Sequence, residues 1–339
     1  MEKSKHQHLE NQQIDYSKLD PDTVLDAAAS TGFDVNASII PLNSYENRVY
    51  QIGVHDSAPI ITKFYRPCRW TNEAILEEHA FSIELAELEI PVIAPLPDNQ
   101  NQTLHQFNGY RFAIFPKQAG RSPETDNLDH LYRIGRFIGR IHAVGATKAF
   151  KHRSSIEIQN YGYDSVDFLL NNDFIPSELK GSYQSTVDII LQKIETIFGQ
   201  YQYKSVPKQR IHGDCHLSNI LWRDEGPHFV DLDDCITGPA VQDIWMLLSG
   251  DRAEMTAQLS EILEGYNEFN SFNPSQLVFI ESLRALRLLH YSSWLAKRWN
   301  DPAFPHNFPW FNTVKYWQDQ ILILREQIAL LDEEPLFWR

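Results

Sequence analysis

The chain has 339 residues, of which 42% are hydrophobic and 12% aromatic, which is enough apolar material for a packed core and excludes wholesale disorder. Its 30 basic and 45 acidic residues give a formal net charge of −15, which disfavours binding to nucleic acid or to an anionic membrane surface. Three cysteines without a close pair exclude a disulfide framework and a CxxC zinc site.

No apolar stretch approaches the roughly 20 residues of a membrane span, and the polar residues 1–20 do not have the pattern of a signal peptide. We therefore expect a cytoplasmic monomer with a flexible tail over residues 1–20. The pair His6 and His8 is a possible metal ligand, but two histidines in such a tail are better explained as tail residues.

Residues 21–115 predict a small lobe of strands with one long helix. In chain order we expect a helix over 23–30, strands over 37–42, 47–54 and 59–65, a helix over 70–88, and a hairpin from 103–105 and 110–115. A connecting hinge is predicted over 116–119. The apolar residues of the long helix recur at helical spacing, which indicates one buried face.

Residues 120–335 predict a larger, mainly helical lobe. The expected elements are an amphipathic helix over 128–144, a second helix over 187–201, two short apolar runs over 210–222 and 228–232, and helices through most of 243–331. A strand-rich lobe followed by a helical lobe makes an α+β, two-lobed architecture, and ligands often bind at such junctions.

The most informative segments are His212–Asn219, with the sequence HGDCHLSN, and the following run VDLDD at 230–234. If the two apolar runs pair as a hairpin, Asp214, Asn219 and Asp231 lie around one pocket. A carboxylate and an amide oxygen suit Mg²⁺, and a second carboxylate can accept the proton of a hydroxyl nucleophile. An Asp followed by Asn five positions later and then by a metal-binding Asp is the layout of phosphoryl transfer in protein kinases.

Lys63 lies in the apolar strand PIITKFY, where a buried ammonium needs an anionic partner. The long helix offers Glu77 and Glu78. We favour Glu78 because Phe81 and Leu85 lie on the same helix face, although Glu77 stays possible. In kinases such a Lys–Glu pair holds the α- and β-phosphates of ATP.

These motifs resemble the aminoglycoside phosphotransferase and choline kinase branch of the protein-kinase-like fold. The segments LNSYENRVYQI, KFYRP, HGDCH with NILWRD, FVDLDD, GPAVQD and DPAFP, taken in order over residues 20–330, more closely resemble the stress response kinase A family of bacteria. The resemblance implies a bilobal kinase fold. It also implies an autophosphorylating serine/threonine protein kinase that uses ATP and Mg²⁺ and acts in stress survival.

The resemblance implies a role for each matching residue. Asp214 is the implied catalytic base, Asn219 and Asp231 are the Mg²⁺ ligands, and Lys63 with Glu78 forms the phosphate clamp. The remaining implied residues are Ser44 near the ATP phosphates, the segment 115–118 with Phe115 and Lys117 beside adenine, and His212 as a brace of the catalytic loop. Ser44 could equally cap its own turn.

The sequence departs from the protein-kinase pattern at the phosphate loop and in the segments near the acceptor. A glycine-rich loop is replaced by Asn43–Asn47, and only 11 residues separate Asp231 from Asp243, where protein kinases carry a longer peptide platform. Gly213 also replaces the arginine that docks a phosphorylated activation loop. The short segment and Gly213 are typical of small-molecule kinases.

We therefore hold three hypotheses: a serine/threonine protein kinase, a small-molecule hydroxyl kinase acting on an amino alcohol or aminoglycoside, and an ATP-binding pseudokinase. The intact set of catalytic residues argues against the pseudokinase.

Several further interpretations remain open: Asp233 as a ligand of a second Mg²⁺, Asp234 as a solvated or capping residue, Asp243 as a brace, Cys215 as a buried filler or a redox thiol, and Trp294, Trp299, Trp310 and Trp317 as helical core or substrate groove.

Overall fold

The structure is a computed structural model that describes residues 16–124 and 127–338. Most of the tail predicted over residues 1–20, including His6 and His8, lies outside the described residues. Tyr16 and Leu19, predicted to be tail residues, instead pack on a β-sheet. The Tyr16 hydroxyl donates a hydrogen bond to the Phe64 carbonyl at 3.0 Å, and Leu19 is buried.

Chain contacts divide the described residues into two compact units. The first contains residues 16–123, 150–153 and 217–235, and the second contains the rest. The sequence predicted one boundary near residues 116–119, whereas two later segments belong to the first unit.

The first unit is an antiparallel sheet with two helices and a hairpin. Its elements are α1 (Pro21–Ala29), β1 (Val35–Leu42), β2 (Arg48–Val54), β3 (Ile60–Phe64), α2 (Asn72–Glu87), β4 (His105–Phe107), β5 (Tyr110–Pro116), β7 (Ile220–Arg223) and β8 (Gly226–Phe229). The sheet order is β1-β2-β3-β5-β4, so β3 is the central strand. Lys63 on β3 pairs in register with Val49 on one side and Ala113 on the other, which fixes the root of its side chain.

Backbone hydrogen bonds tie the β7–β8 hairpin to this unit. The Phe229 N–H donates to Pro91 at 2.7 Å, and Phe229 accepts from the Ile93 N–H at 3.1 Å. Within the hairpin, Ile220 pairs with Phe229. Residues 217–235, predicted as part of the helical lobe, therefore extend the framework of the strand-rich unit.

The second unit is mainly helical. Its elements are α3 (Leu128–Gly145), α4 (Asp164–Asn171), α5 (Ser177–Gln200), β6 (Gln209–Ile211), β9 (Ile236–Gly238), α6 (Val241–Trp245), α7 (Arg252–Tyr266), α8 (Ile280–Lys297), α9 (Ala303–Asn307) and α10 (Val314–Leu330). Helices α4, α5, α8 and α10 enclose an aromatic and aliphatic core around the fully buried Trp317. Among the helices of the described residues, none combines the length and apolarity that crossing a bilayer requires.

Helices α3 and α7 approach closely because glycines face the opposite backbone. A methyl group on Gly139 would lie 2.5 Å from the Tyr266 carbonyl oxygen, and methyl groups on Gly135 and Gly265 would also collide with backbone of the other helix. Interiors are packed too densely to absorb such an overlap without a backbone shift.

Candidate active site

Lys63 lies among three carboxylates of the first unit. Its Nζ is 3.1 Å from Asp231 Oδ1, 3.3 Å from Asp233 Oδ1 and 3.8 Å from Glu78 Oε1. The side chains of Lys63, Asp233 and Glu78 are almost completely buried, whereas that of Asp231 is 55% exposed. The strand lysine therefore has three anionic partners, one of which faces solvent.

The electrostatics of this cluster favour a charged lysine. Burial alone would lower the pKa of Lys63, but the charges of Asp231, Asp233 and Glu78 raise this pKa well above its ordinary value. Burial raises the pKa of Glu78 to about 7, while Lys63 and Arg153 oppose that rise. Lys63 is thus a fixed positive charge rather than a proton donor.

The structure distinguishes the two glutamates that the sequence left open. Glu78 faces Lys63, whereas Glu77 accepts the backbone N–H groups of Lys151 at 2.7 Å and His152 at 2.9 Å. Adjacent residues point about 100° apart around a helix, so only one of them can face the central strand.

Arg69 neutralises the two acidic residues whose roles the sequence did not resolve. Its guanidinium is hydrogen-bonded to both Asp233 and Asp234. Asp233 also accepts a hydrogen bond from the Asn47 side chain at 3.1 Å, within the segment that replaces a glycine-rich loop. Burial would raise the pKa of Asp233, but Lys63, Arg69 and Arg153 hold this pKa well below its ordinary value.

Arg153 is a second cation that supports this network from the interior. Its side chain is completely buried and donates to the carbonyl oxygens of Ala74 at 2.9 Å, Asp233 at 2.7 Å and Cys235 at 3.0 Å. It also lies 3.3 Å from Glu78 Oε2. The planar guanidinium, with five donors, suits such a junction of several acceptors.

Asp231 and Asn219 are the oxygen donors with which the sequence predicts a Mg²⁺ site. Asp231 has a left-handed backbone with φ of 59°, which non-glycine residues adopt mainly where the surroundings enforce it. The carbonyl of Asn219 accepts the Val230 N–H at 3.0 Å, which places Asn219 beside the start of the Asp231 turn. Within the described residues, no cluster of three or more His, Cys, Asp or Glu side chains has metal-binding geometry.

The other nucleotide residues predicted from the sequence are spread over the same unit. Ser44 is half-buried between β1 and β2, Phe115 is half-buried near the end of β5, and Lys117 is exposed just after it. The Lys63 ammonium lies 6.0 Å from the Phe115 ring centroid, which links β5 to the charged cluster. The nucleotide-binding roles of all three stay predictions.

Asp214 lies in the second unit between an arginine and a histidine side chain. Arg287 Nη2 is 2.6 Å from its Oδ1, and His216 Nε2 is 3.4 Å from its Oδ2. Burial would raise the pKa of Asp214, but the hydrogen bond from His216 and the charge of Arg287 outweigh burial and hold this pKa well below its ordinary value. Asp214 is therefore an ionised carboxylate at neutral pH, as a proton acceptor must be.

Asp243 braces the loop that carries Asp214. Its carboxylate accepts the backbone N–H groups of His212 and Gly213, each at 2.8 Å, and lies 3.0 Å from His142 Nε2. Gly213 has φ of 83°, a conformation that favours glycine over arginine. Glycine therefore fits the backbone at this position, and the brace predicted at Asp243 has His142 as an additional partner.

The Asp243 carboxylate provides a stability test. The variant Asp243→Asn places an amide NH₂ group against at least one of the two backbone N–H donors. We therefore expect its free energy of unfolding to fall by about 2–4 kcal/mol. Urea denaturation measures this loss. Asp251→Asn is the matched control, because Asp251 also accepts two backbone N–H groups, at Ala253 and Glu254, but from an exposed helix N-terminus. Equal losses in the two variants would contradict the brace.

The structure also bears on two residue groups with open interpretations. Cys215 is buried, and burial raises the pKa of its thiol, which favours a filler over a reactive thiolate. Trp317 is core, Trp294 and Trp299 pack partly against that core, and Trp310 is 44% exposed.

Sequence reasoning missed four partners of the candidate site, namely Arg69, Arg153, Arg287 and His142. Each contacts residues far away in the chain, so no local spacing revealed it. One available signal was the density of acidic residues at 231–234: several carboxylates in a buried segment require more cations than Lys63 alone.

With this geometry established, comparisons identify the family. The model of the "Phosphotransferase enzyme family" matches residues 38–278, more than half of the chain. The chain belongs to this family. Within it, the chain is 44% identical over 328 residues to stress response kinase A of Escherichia coli K12, covering 97% of this chain and 98% of the relative. The stress response kinase A resemblance seen in the motifs is confirmed.

A second relative and one solved structure add to this comparison. The chain is 44% identical to the "Serine/threonine protein kinase RdoA" of Salmonella typhimurium LT2, covering 95% of this chain and 96% of the relative. A solved amicoumacin kinase, in complex with AMP-PNP, Ca²⁺ and Ami, has a TM-score of 0.71 at 18% identity and covers 98% of this chain and 97% of that chain. This likeness confirms the kinase-like α+β fold.

Proposed function

We propose that this protein is an ATP-dependent serine/threonine protein kinase that acts in stress response and phosphorylates itself as well as other proteins. The observation that carries the proposal is the central-strand ammonium of Lys63, held between Glu78 and Asp231 in a chain of the stress response kinase A family. A buried ammonium with this pairing provides the fixed charge that phosphate binding in kinases requires.

In the proposed reaction, Asp214 orients the acceptor hydroxyl and takes its proton. The acceptor oxygen forms a bond to the γ-phosphorus, the bond from that phosphorus to the β,γ-bridging oxygen breaks, and ADP leaves. The ionised state of Asp214 supports its role as base, and the charge of Lys63 supports a role in holding the nucleotide phosphates. Ser44, Phe115 and Lys117 remain proposed nucleotide contacts.

The donor set of the first unit fits a divalent cation. Asp231 offers a half-exposed carboxylate and Asn219 an amide oxygen, and Mg²⁺ prefers one or two carboxylates completed by water and substrate phosphates to a cage of protein ligands. Asn219 and Asp231 would hold the ion. When bound, Mg²⁺ neutralises charge on the β- and γ-phosphates.

The direct test is transfer of label from ATP and Mg²⁺ by purified protein, alone and with a generic basic protein and a generic acidic protein as acceptors. We expect label on serine or threonine of the enzyme and of an acceptor, and labelling about 10³-fold slower with Asp214→Asn. Consumption of ATP only on addition of small hydroxyl compounds would contradict the protein kinase and favour the metabolite kinase.

The metal role of Asp231 gives a second prediction. Because an amide is a weaker Mg²⁺ ligand than a carboxylate, Asp231→Asn should weaken nucleotide binding in Mg²⁺ by about tenfold or more and change binding in EDTA by much less. Titration calorimetry with a non-hydrolysable ATP analogue measures both. Asp224→Asn, at an exposed turn of the same unit, is the matched control. Equal Mg²⁺ dependence in Asp231→Asn and the wild type would contradict the ligand role.

A small-molecule hydroxyl kinase is the second candidate. It is favoured by the short connection after Asp231, where a turn over Leu232–Asp234 and the strand Ile236–Gly238 lead directly to the helix that starts at Val241. This segment has no long loop of the kind that supports a peptide in protein kinases. The transfer assay separates the two candidates.

A further inference from the structure

Arg287 lies at the carboxylate on which the proposed reaction depends. Its side chain is 38% exposed on α8, and its guanidinium is 2.6 Å from Asp214 Oδ1. Among the described residues, Asp214 is the one ion-pair partner of the Arg287 side chain. A guanidinium has five donors in a planar fork, so one contact through Nη2 leaves donors available for a further anion.

An acceptor hydroxyl directed at Asp214 would have to enter this arrangement. A hydroxyl hydrogen-bonded to a carboxylate lies about 2.7 Å from the carboxylate oxygen, close to the 2.6 Å that separates Arg287 Nη2 from Asp214 Oδ1. The hydroxyl oxygen would then lie at most about 5 Å from Nη2, so a charged group two or three bonds from it can reach the remaining donors of the guanidinium. His216, 3.4 Å from the second Asp214 oxygen, is a further polar group beside this carboxylate.

Charge and aromatic rings continue along α8. Residues at spacings of three and four form one stripe, here named the α8 strip, which consists of Arg284, Arg287, Tyr291 and Trp294 on α8 and of Arg298 directly after its last residue. Tyr291 is 40% exposed and stacks on Trp294 at 5.8 Å, and Arg298 lies 5.0 Å from the Trp294 ring. Glu281 offsets part of this charge, since it lies 3.3 Å from Arg284.

The α8 strip is therefore a basic and aromatic surface in a chain whose net charge is −15. Arginine binds carboxylate and phosphate through paired hydrogen bonds, and a like charge at the same distance is repelled. An acceptor with an amine near its hydroxyl, such as an amino alcohol, would meet this repulsion at Arg287.

We propose that Arg287 is a specificity-determining residue that selects acceptors carrying an anion next to the phosphorylated hydroxyl. This inference rests on the proposed role of Asp214 as base. The anion is a carboxylate or phosphate, supplied either by acidic residues flanking a serine or threonine or by a small hydroxy acid. Arg287 binds this anion while Asp214 receives the hydroxyl proton.

The test compares acceptors that differ only in charge. One series contains serine peptides flanked by aspartate, alanine or lysine, and a second contains glycerate as the anionic and ethanolamine as the cationic small acceptor. We expect the wild type to favour the anionic member of the series it phosphorylates by about tenfold in kcat/KM over the cationic member. The two series distinguish a protein acceptor from a small molecule.

Charge reversal at Arg287 provides the decisive comparison. Arg287→Glu should lower the anionic-to-cationic ratio by about tenfold or more, whereas Arg287→Lys, which keeps the charge, should retain the wild-type preference. The matched control is Arg133→Glu, which makes the same charge change at an exposed residue of α3 paired with Asp129. Circular dichroism and thermal unfolding verify that each variant is folded.

The outcomes separate this inference from the proposed function. Transfer that depends on Asp214 but shows no charge preference, or the same preference in Arg287→Glu as in the wild type, overturns the inference and leaves the kinase function standing. Equal shifts of the ratio in Arg133→Glu and Arg287→Glu would also overturn it, because net charge would then explain both. Absence of any transfer that depends on Asp214 overturns the proposed function, and the inference falls with it.

Discussion

Asp214→Asn should reduce the rate of phosphoryl transfer by about 10³-fold while ATP binding stays within about twofold of the wild type. The amide keeps the shape of the side chain but cannot accept the hydroxyl proton. The wild-type carboxylate is ionised at neutral pH because Arg287 and His216 hold its pKa well below the ordinary value against the effect of burial. The loss should therefore persist across pH 5 to 8, where the carboxylate remains charged.

Single-turnover transfer measures the chemical step, and calorimetry with a non-hydrolysable ATP analogue measures binding. Asp319→Asn is the control, because Asp319 is an exposed aspartate paired with Lys315 on α10. A rate within tenfold of the wild type in Asp214→Asn would refute the base assignment. Loss of both nucleotide binding and transfer in Asp214→Asn would indicate that Asp214 has a structural role instead.

Arg153→Met should lower the free energy of unfolding by about 3–5 kcal/mol. Removal of this buried cation leaves Glu78 without one of its two cationic partners and leaves the carbonyls of Ala74, Asp233 and Cys235 without their donor. A buried charge or carbonyl that loses its partner costs far more than an exposed one, because water cannot replace the missing bond.

Urea denaturation of the wild type and the variant measures the effect. Arg133→Met is the matched control: Arg133 is half-exposed and pairs with Asp129 four residues earlier, so we expect a loss below about 1 kcal/mol. The loss of free energy of unfolding in Arg153→Lys should lie between the losses in Arg153→Met and Arg133→Met, since a single ammonium cannot reach all four acceptors. A loss in Arg153→Met as small as that of the control would contradict the junction role.

Secondary structure was predictable wherever apolar residues followed a clear period. The strand expected over 59–65 is Ile60–Phe64, and the helix expected over 128–144 is Leu128–Gly145. The helix predicted over 187–201 instead begins at Ser177 and ends at Gln200. Its first ten residues, SELKGSYQST, are mostly polar and bury only Tyr183 and Thr186, so periodicity gives no signal there.

The polar and charged residues of the candidate site also divide into those that follow a local sequence pattern and those that do not. Asp214, Asn219 and Asp231 follow a spacing that chemistry imposes, so the sequence identifies them. Arg153 lies in the polar stretch KHRSS, which has no apolar pattern, and its partner Glu78 is 75 positions away. Such partners are determined by chain topology, which local spacing does not contain.

The close contact between α3 and α7 implies that this kinase can be inactivated far from its chemistry. His142 on α3 lies 3.0 Å from Asp243 and 3.1 Å from the Tyr266 hydroxyl on α7. Because Asp243 braces the loop that carries Asp214, the position of this loop depends on two helices spaced by glycines. A random mutagenesis screen for lost activity should therefore recover alanine at Gly139, a residue that faces the Tyr266 backbone in this helix contact. Family members that exchange one of these glycines would need a compensating change in the facing helix.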